Sequence, residues 1–420
     1  MKHVRRLLAA SASLALLTML LALGASPAAA ASPKAPPQGH GACTAAAPGS
    51  ELARRGAAWA CTEERPLTGQ DLDRIRAHLV TPRDAVGDPD AGPEALCAST
   101  EHQDVVANRH AYCARHGIVY ALVDDEGKVT GTATLLVTAR SLLDPNSVKW
   151  DESITVYSYD FSNIKSVKLA LSSSCTACIP GPPAWGGGSI TLGAHEEDNT
   201  GHLSYETTTR GGAERSRSQI AYQSQTESAD ALFPIISYGQ WAGPSVACDG
   251  KVGNGPGCIA TDSLARVTLS RSVYRGAAVA YEWAQNNLSG NNAMGTAKRP
   301  LTRDADEKRS DSRRYYSCKA PPRPFVANPT VVGDECDEYP FARTRQGGTL
   351  GDLCAEIIPR EVGGVWSVDN VEVVRDSGVA PCIRGHVNSG DNQNAGRSVG
   401  RQVQSERILD GEAYQVVITP

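Results

Sequence analysis

The chain has 420 residues, with 41 Lys and Arg against 46 Asp and Glu and a formal net charge of −5. That balance excludes a uniformly basic coat for nucleic acid, so any phosphate-binding surface must be local. Few aromatics alongside 40 Gly and 25 Pro suit a turn-rich fold better than a helical bundle.

Residues 1–30 read as a signal peptide. Lys2, Arg5 and Arg6 form a positive start, Leu7 to Leu23 an apolar stretch, and Ala28-Ala29-Ala30 a cleavage site. No later run approaches the ~18 apolar residues of a membrane span. The mature chain is therefore expected to be secreted and extracellular, with no membrane association after signal cleavage. All 12 cysteines lie beyond the signal, and an even count in an exported chain reads as disulfides. Sequence does not fix their connectivity, but short separations favour Cys97–Cys113 and Cys248–Cys258. Cys175-Thr176-Ala177-Cys178 lacks a second such pair, and His195 alone would not complete a zinc set. It too reads as a disulfide.

Residues 31–60 are rich in Pro, Ala and Gly and read as a flexible N-terminal segment. Leu72, Ile75 and Leu79 recur at helical spacing, with Thr68 placed as a cap. From Tyr112 the pattern turns to strands: Ile118 to Val123, Val129 to Val137, Ser153 to Tyr159, Ser166 to Leu171, Ser189 to Leu192 and Leu203 to Thr208. Short strands with Gly and Pro turns predict a β-rich, sandwich-like accessory domain over residues 61–285. It contains no metal-type acid cluster or Ser/His/Asp constellation. Trp185, in a Gly-rich loop, is either a stacking platform or a packing plug, the plug being the commoner use. Ala277 to Asn287 reads as a short helix, and the Asn- and Gly-rich residues 286–297 as a linker.

The last domain, residues 298–420, opens with a basic run that includes Arg303, Lys308, Arg309, Arg313 and Arg314, interleaved with Asp304, Asp306, Glu307 and Asp311. Such a run is either a phosphate-binding face or a solvated helix. Next comes Asp334-Glu335-Cys336-Asp337-Glu338, four carboxylates in five residues, followed by Tyr339-Pro340-Phe341-Ala342. Ionised acids without partners are costly in an apolar core. On residue types alone the cluster is a solvated acidic turn or a half-buried cation site, for which hard oxygen donors suit a divalent metal. Val365 to Val368, Val371 to Val374 and Tyr414 to Thr419 read as strands. Val399 and Val403 mark a helix with a narrow apolar stripe.

Cys336-Asp337-Glu338-Tyr339-Pro340-Phe341-Ala342, with Gly347-Gly348 after it, resembles the signature of the NucA/NucB family of secreted bacterial deoxyribonucleases. Asp391-Asn392-Gln393-Asn394-Ala395-Gly396-Arg397-Ser398-Val399-Gly400-Arg401-Gln402 resembles that family's second signature, in the same order. Pro300 to Asp304 with Lys308 to Arg314 is a weaker match. The resemblance is confined to the C-terminal domain, for which it implies an α+β nuclease.

The implied activity is that of a secreted, metal-dependent endonuclease that hydrolyses DNA with little sequence specificity. It implies Mg²⁺ or Mn²⁺ as cofactor and DNA as partner, with no obligate protein partner evident. Asp337 is expected as general base or metal ligand, Glu338 as its acidic partner and Asn392 as a neutral oxygen ligand. Adjacent on a strand, Asp337 and Glu338 would face opposite ways unless the chain bends. Asn392 is also a plausible helix cap by residue type. Arg303, Arg313, Arg397 and Arg401 are the candidate phosphate ligands. His386 is either a base or a loop histidine; the family signature does not require it, which favours the loop. Two other functions fit the same residues: a non-enzymatic extracellular binding protein whose acids hold a structural cation, and a toxin domain delivered to competitors.

Overall fold

Apolar residues at period two dominate residues 105–259, and there the chain folds into strands. The computed structural model describes residues 36, 38–78, 91–98, 104–232, 234–261, 263–288 and 292–420. The signal peptide expected at residues 1–30 and the Leu72, Ile75 and Leu79 side chains lie outside what is described.

In chain order the first elements are β1 (Ala42–Ala45), α1 (Glu51–Arg54), β2 (Trp59–Arg65), α2 (Gly69–His78), α3 (Pro93–Cys97), β3 (Val105–Ala107), β4 (Ala111–Val123), β5 (Val129–Leu142) and β6 (Lys149–Ser162). There follow β7 (Ser166–Cys175), β8 (Cys178–Pro180), β9 (Ile190–Gly193), β10 (Glu197–Thr207), β11 (Ser216–Ser228), β12 (Ser237–Asp249) and β13 (Gly257–Ile259). One antiparallel sheet runs β1-β2-β4-β5-β6-β10-β8 with β3 beside β4, and the other runs β13-β12-β11-β7-β9. Their inner faces share a core that includes Tyr120, Leu135, Ile154, Leu169, Tyr222 and Val246. Strand β11 shows the alternation that builds it: Ser218, Ile220, Tyr222 and Ser224 are buried while Gln219, Gln223 and Gln225 are exposed.

Thr68 caps α2 as expected, its Oγ1 accepting from the Asp71 amide at 3.2 Å while Asp71 Oδ2 accepts from the Thr68 amide at 2.7 Å. The flexible segment expected at 31–60 is corrected by the structure. Residues 42–45 pair with β2, Ser50 Oγ caps α1, and Leu52 is fully buried. The Ala-rich composition concealed a strand held by the Cys43–Cys61 disulfide. Trp185 is a plug: it packs on the core, and its Nε1 donates to Asp198 Oδ1 at 3.1 Å.

The remaining elements are β14 (Ala265–Ser270), α4 (Arg271–Asn287), β15 (Leu301–Thr302), α5 (Glu307–Cys318), β16 (Asp334–Tyr339), β17 (Ala355–Val362), β18 (Val365–Arg375), β19 (Ile383–Asn388), α6 (Ser389–Ser405) and β20 (Ala413–Thr419). They form a β16-β19-β17-β18 sheet and a β14-β20-β15 sheet, in which β14 and β20 are parallel with Val267 opposite Val416. Helix α4 presents Ala277, Ala280, Tyr281 and Ala284 to this second core, joined by Leu288 just past its end, all at most 1% exposed. Burying one large apolar side chain such as Leu288 is worth about 1.5–3 kcal/mol, while the three alanines contribute less each and let the helix pack closely.

Residues 286–297 therefore do not link two bodies as expected. Leu288 and Met294 are buried in the second core, and Tyr339 donates its hydroxyl to the Met294 carbonyl at 2.9 Å. Gly295 (φ +87°) is required there, since a Cβ would lie 1.7 Å from the Tyr339 hydroxyl oxygen. The two stretches expected as separate strands around Val365 and Val371 are one strand, β18.

All 12 cysteines pair: Cys43–Cys61, Cys97–Cys113, Cys175–Cys178, Cys248–Cys258, Cys318–Cys336 and Cys354–Cys382. The two local pairs and the Cys175–Cys178 bridge are those expected. Among the described residues, no helix is long and apolar enough to cross a membrane.

Candidate active site

Strand β16 carries the four acids, and the two-residue period of a strand divides them between its faces. Glu335, Asp337 and Tyr339 turn towards α4 and α6. Asp334, Cys336 and Glu338 turn towards α5 and the chain that precedes β16. No bend intervenes, so Asp337 and Glu338 are not aimed at one point.

On the first face, Asp337 is 4% exposed, and its Oδ1 accepts from the Tyr281 hydroxyl at 3.0 Å. Its Oδ2 is buried and has no hydrogen-bond partner among the described residues. Burial, then the nearby Glu338 and Glu335 charges, raise its proton affinity well above that of an ordinary carboxylate, although the Tyr281 bond opposes them. Asn392 Nδ2 donates to Glu335 Oε2 at 3.4 Å and Gln393 Nε2 to Glu335 Oε1 at 3.3 Å. The helix cap is Asn388, whose Oδ1 accepts from the Gly390 amide at 2.9 Å. That leaves the Asn392 side chain free of capping and turned to β16. Two motifs far apart in sequence thus meet, but through Glu335 rather than through Glu338.

Beside them, α4 is broken at Arg275, which is exposed and has φ +43°. Asp391 lies within reach of the Arg275 charge and accepts from the Gly276 amide. Burial nonetheless raises the Asp391 carboxyl above its ordinary value.

On the second face, the Glu338 carboxyl is raised mainly by burial, with Arg314 Nε 3.6 Å away as partial compensation. His386 is not in a loop. It stands on β19 with its side chain 2% exposed, Nδ1 at 2.7 Å from Asp334 Oδ2 and Nε2 at 3.2 Å from Glu356 Oε1. Phe325 covers the ring at 4.4 Å, and Arg384 pairs with Glu356 at 2.6 Å. With both nitrogens engaged and the ring sealed, His386 anchors the sheet and is not placed as a free base.

The basic residues also divide. Arg303 Nη1 donates to the Ile408 carbonyl, and burial lowers the pKa of this guanidinium. Arg313 is held by Asp304 at 2.8 Å and by the Ala342 carbonyl at 3.3 Å. Both expected phosphate ligands are engaged inside the fold, Arg303 by a backbone carbonyl and Arg313 because buried Asp304, gripped also by Arg309 at 2.7 Å, needs cations around it. Arg397 and Arg401 are exposed on α6, on its outward side, opposite the stripe of Ala395, Val399 and Val403 that meets the core. Arg397 bonds Asn394 Oδ1 at 2.6 Å.

The acidic strand, the residues of α5 and the buried end of the connecting segment all fall in one stretch of chain that a known family also contains. Residues 289–370 match the family model of deoxyribonuclease NucA/NucB. The match covers Asp334 to Ala342 and stops short of Asp391 to Gln402. It concerns the C-terminal part alone. The NucA/NucB match supports a nuclease with DNA as its substrate. No curated protein matches the chain.

Among the described residues, no group of three or more His, Cys, Asp or Glu side chains is arranged to hold a metal ion. Sequence reading passed over Glu335, Tyr281 and Arg275 as site residues. Glu335 was detectable, since strand alternation puts it on the Asp337 side; Tyr281 and Arg275 carry no local signal.

Proposed function

We propose that this protein is a secreted, metal-dependent endonuclease that hydrolyses the phosphodiester bonds of DNA with little sequence specificity, using an α+β nuclease domain. The observation that carries the reading is the meeting of Asn392 with Glu335, on the face of β16 that also holds Asp337 and its unpartnered oxygen. Six disulfides support secretion.

The donor chemistry fits a hard divalent cation. Magnesium is commonly held by one or two carboxylates with the rest of its shell left to water and phosphate, so Glu335, Asp337 and the Asn392 amide oxygen suffice as a set. The chemistry such a cation supplies is a fixed positive charge against the negative charge that builds on the phosphate.

The chain's own residues do the rest. Asp337 Oδ2, the oxygen left without a partner among the described residues, accepts the proton of the attacking water. Tyr281 holds the Asp337 carboxyl in one rotamer. Arg275, exposed at the break in α4, and Arg397 and Arg401 on α6 grip flanking phosphates, giving affinity without base readout. Glu338 serves on the other face, holding α5 through Arg314.

The oxidised full chain, incubated with plasmid and Mg²⁺ or Mn²⁺, is expected to nick DNA. Activity should vanish with chelator and fall steeply with salt. DNA that stays intact with every metal, from a folded protein, refutes the reading in favour of a non-enzymatic binder.

A further inference from the structure

Of the six disulfides, Cys318–Cys336 is the one in which neither residue is buried. Both of its cysteines are half-buried, whereas each of the other bridges contains a cysteine at most 9% exposed. Cys336 stands within the acidic strand β16, between Glu335 and Asp337. Strand alternation turns it away from those two and, with Glu338, towards α5, whose last residue is Cys318. Cys318 Sγ lies 3.9 Å from Glu338 Oε2.

Apolar packing does little to hold this region. Helix α5 lacks an apolar stripe, and the residues it buries are Ser310 and Ser317. Its first half is fixed by Arg309 and Arg313 on Asp304. Its last turn adds to the bridge the contact of Arg314 with Glu338 at 3.6 Å, which solvent weakens because the Arg314 side chain is 53% exposed. Residues 321–333, which lead into β16, include no buried side chain. Two hydrogen bonds pin that segment near its end, from the Asn328 amide to Asp334 Oδ2 and from Asn388 Nδ2 to the Val332 carbonyl, both at 2.6 Å. Strand β16 is itself at the edge of its sheet, with β19 as its one neighbour. Ordering such a stretch costs conformational entropy that burial does not offset here. The bridge, which closes the loop from 318 to 336, supplies the missing constraint.

Taking the nuclease reading above as its basis, we propose that Cys318–Cys336 is a redox switch on that site. Closed, it clamps the middle of β16 to α5 and keeps Glu335 and Asp337 in place against α4 and α6. A small thiol opens it by forming a mixed disulfide with one cysteine, from which a second thiol displaces it. The bridge takes up two electrons and two protons to become two thiols, and the two small thiols become a disulfide. The end of α5 and the segment after it then loosen, β16 is left with β19 as its tether, and Glu335 loses its register with Asn392. Cleavage is thereby confined to oxidising surroundings.

The test exposes the full oxidised chain to graded reduced glutathione and maps the opened cysteines by alkylation and mass spectrometry. Hydrogen exchange over residues 334–339 and plasmid nicking are followed in the same samples. Cys318 and Cys336 are expected to be alkylated at thiol levels that leave the sealed Cys97–Cys113 and Cys248–Cys258 bridges intact. Exchange in β16 should then rise about tenfold or more. Nicking should fall about tenfold or more and return on reoxidation. A Cys175→Ser, Cys178→Ser double variant, which removes another bridge with a half-buried cysteine, should nick and switch as the wild type does. Cys318→Ser with Cys336→Ser should behave as the reduced wild type, and if it does not fold, the reversible reduction of the wild type still decides. Opening of the sealed bridges first, or β16 exchange unchanged once Cys318–Cys336 is open, overturns the switch. So does undiminished nicking with that bridge open. A folded, oxidised chain that cuts no DNA refutes the nuclease reading instead, since alkylation and exchange report on the bridge whether or not DNA is cut.

Discussion

Arg275 is held at φ +43° in the break of α4, a conformation that costs a non-glycine side chain on the order of 1–3 kcal/mol. Its exposed guanidinium stands beside Asp391, at the end of α6 that carries Asn392. An exposed guanidinium beside the acids is free to contact phosphate in the proposed reading. Arg275→Gly is accordingly expected to raise the thermal midpoint, by up to about 1 kcal/mol in stability, while lowering plasmid cleavage. Glu152 makes a different residue-scale case. It is fully buried in the first core, where Tyr112 and Tyr222 donate to Oε1 at 2.6 and 2.7 Å and Tyr205 to Oε2 at 2.9 Å. Burial raises its pKa despite the three hydroxyls. A carboxyl raised in the folded state binds its proton more tightly there than when unfolded. The stability it contributes is therefore present at low pH and falls as pH climbs from the unfolded value to the folded one. Glu152→Gln keeps both bonds at Oε1 and can donate to Tyr205. Thermal unfolding from roughly pH 4 to 8 should show the variant gaining on the wild type as pH rises, then levelling off. Sequence could not single out Glu152, because its three tyrosine partners lie on two sheets. Asp337 was legible from its motif, but the bond from Tyr281 that holds it comes from a helix with no chemical signature.

At the scale of elements, β4 to β7, β9 and β10 of the first core were legible as β-branched and apolar runs between turn residues, whereas β11 and β12 were not, since Ser and Gln fill much of both. Helices α2 and α6 were legible from their apolar spacing. The segment at 42–60 and strand β14 were not, since pieces this short are strands here only through their partners β2 and β20. The turn after α6 was equally silent. There Arg407, 1% exposed, places Nε and Nη2 on the two Asp249 oxygens at 3.0 and 2.8 Å. It also donates to the carbonyls of Val252 at 3.1 Å and Pro145 at 2.6 Å. Arg109 and Arg215 add bonds to Glu412 at 2.6 and 2.9 Å. Breaking a buried pair leaves an uncompensated charge, so Arg407→Ala should destabilise the chain by about 3–5 kcal/mol, read by denaturant unfolding.

For the whole molecule, this clamp fastens the end of α6 to the end of β12, and β14 and α4 are built into the second core. The β-rich part and the C-terminal part are thus not beads on a linker, which is what an Asn- and Gly-rich stretch had suggested. A fragment of residues 298–420 lacks β14, the partner of β20, and α4 with Tyr281. It is expected to be unfolded by circular dichroism and inactive, whereas the full chain folds. A well-folded, active 298–420 fragment would show that α4 is dispensable. The division of the acids between two faces of β16 gives the most direct measurement, the rate of plasmid nicking by three isosteric variants of the full chain. Asp337→Asn and Glu335→Gln should each lose at least about 100-fold while remaining folded, whereas Glu338→Gln, on the face turned to α5, should retain most activity. Wild-type nicking by Asp337→Asn, or loss confined to Glu338→Gln, would contradict the assignment of the site to the α4 and α6 face.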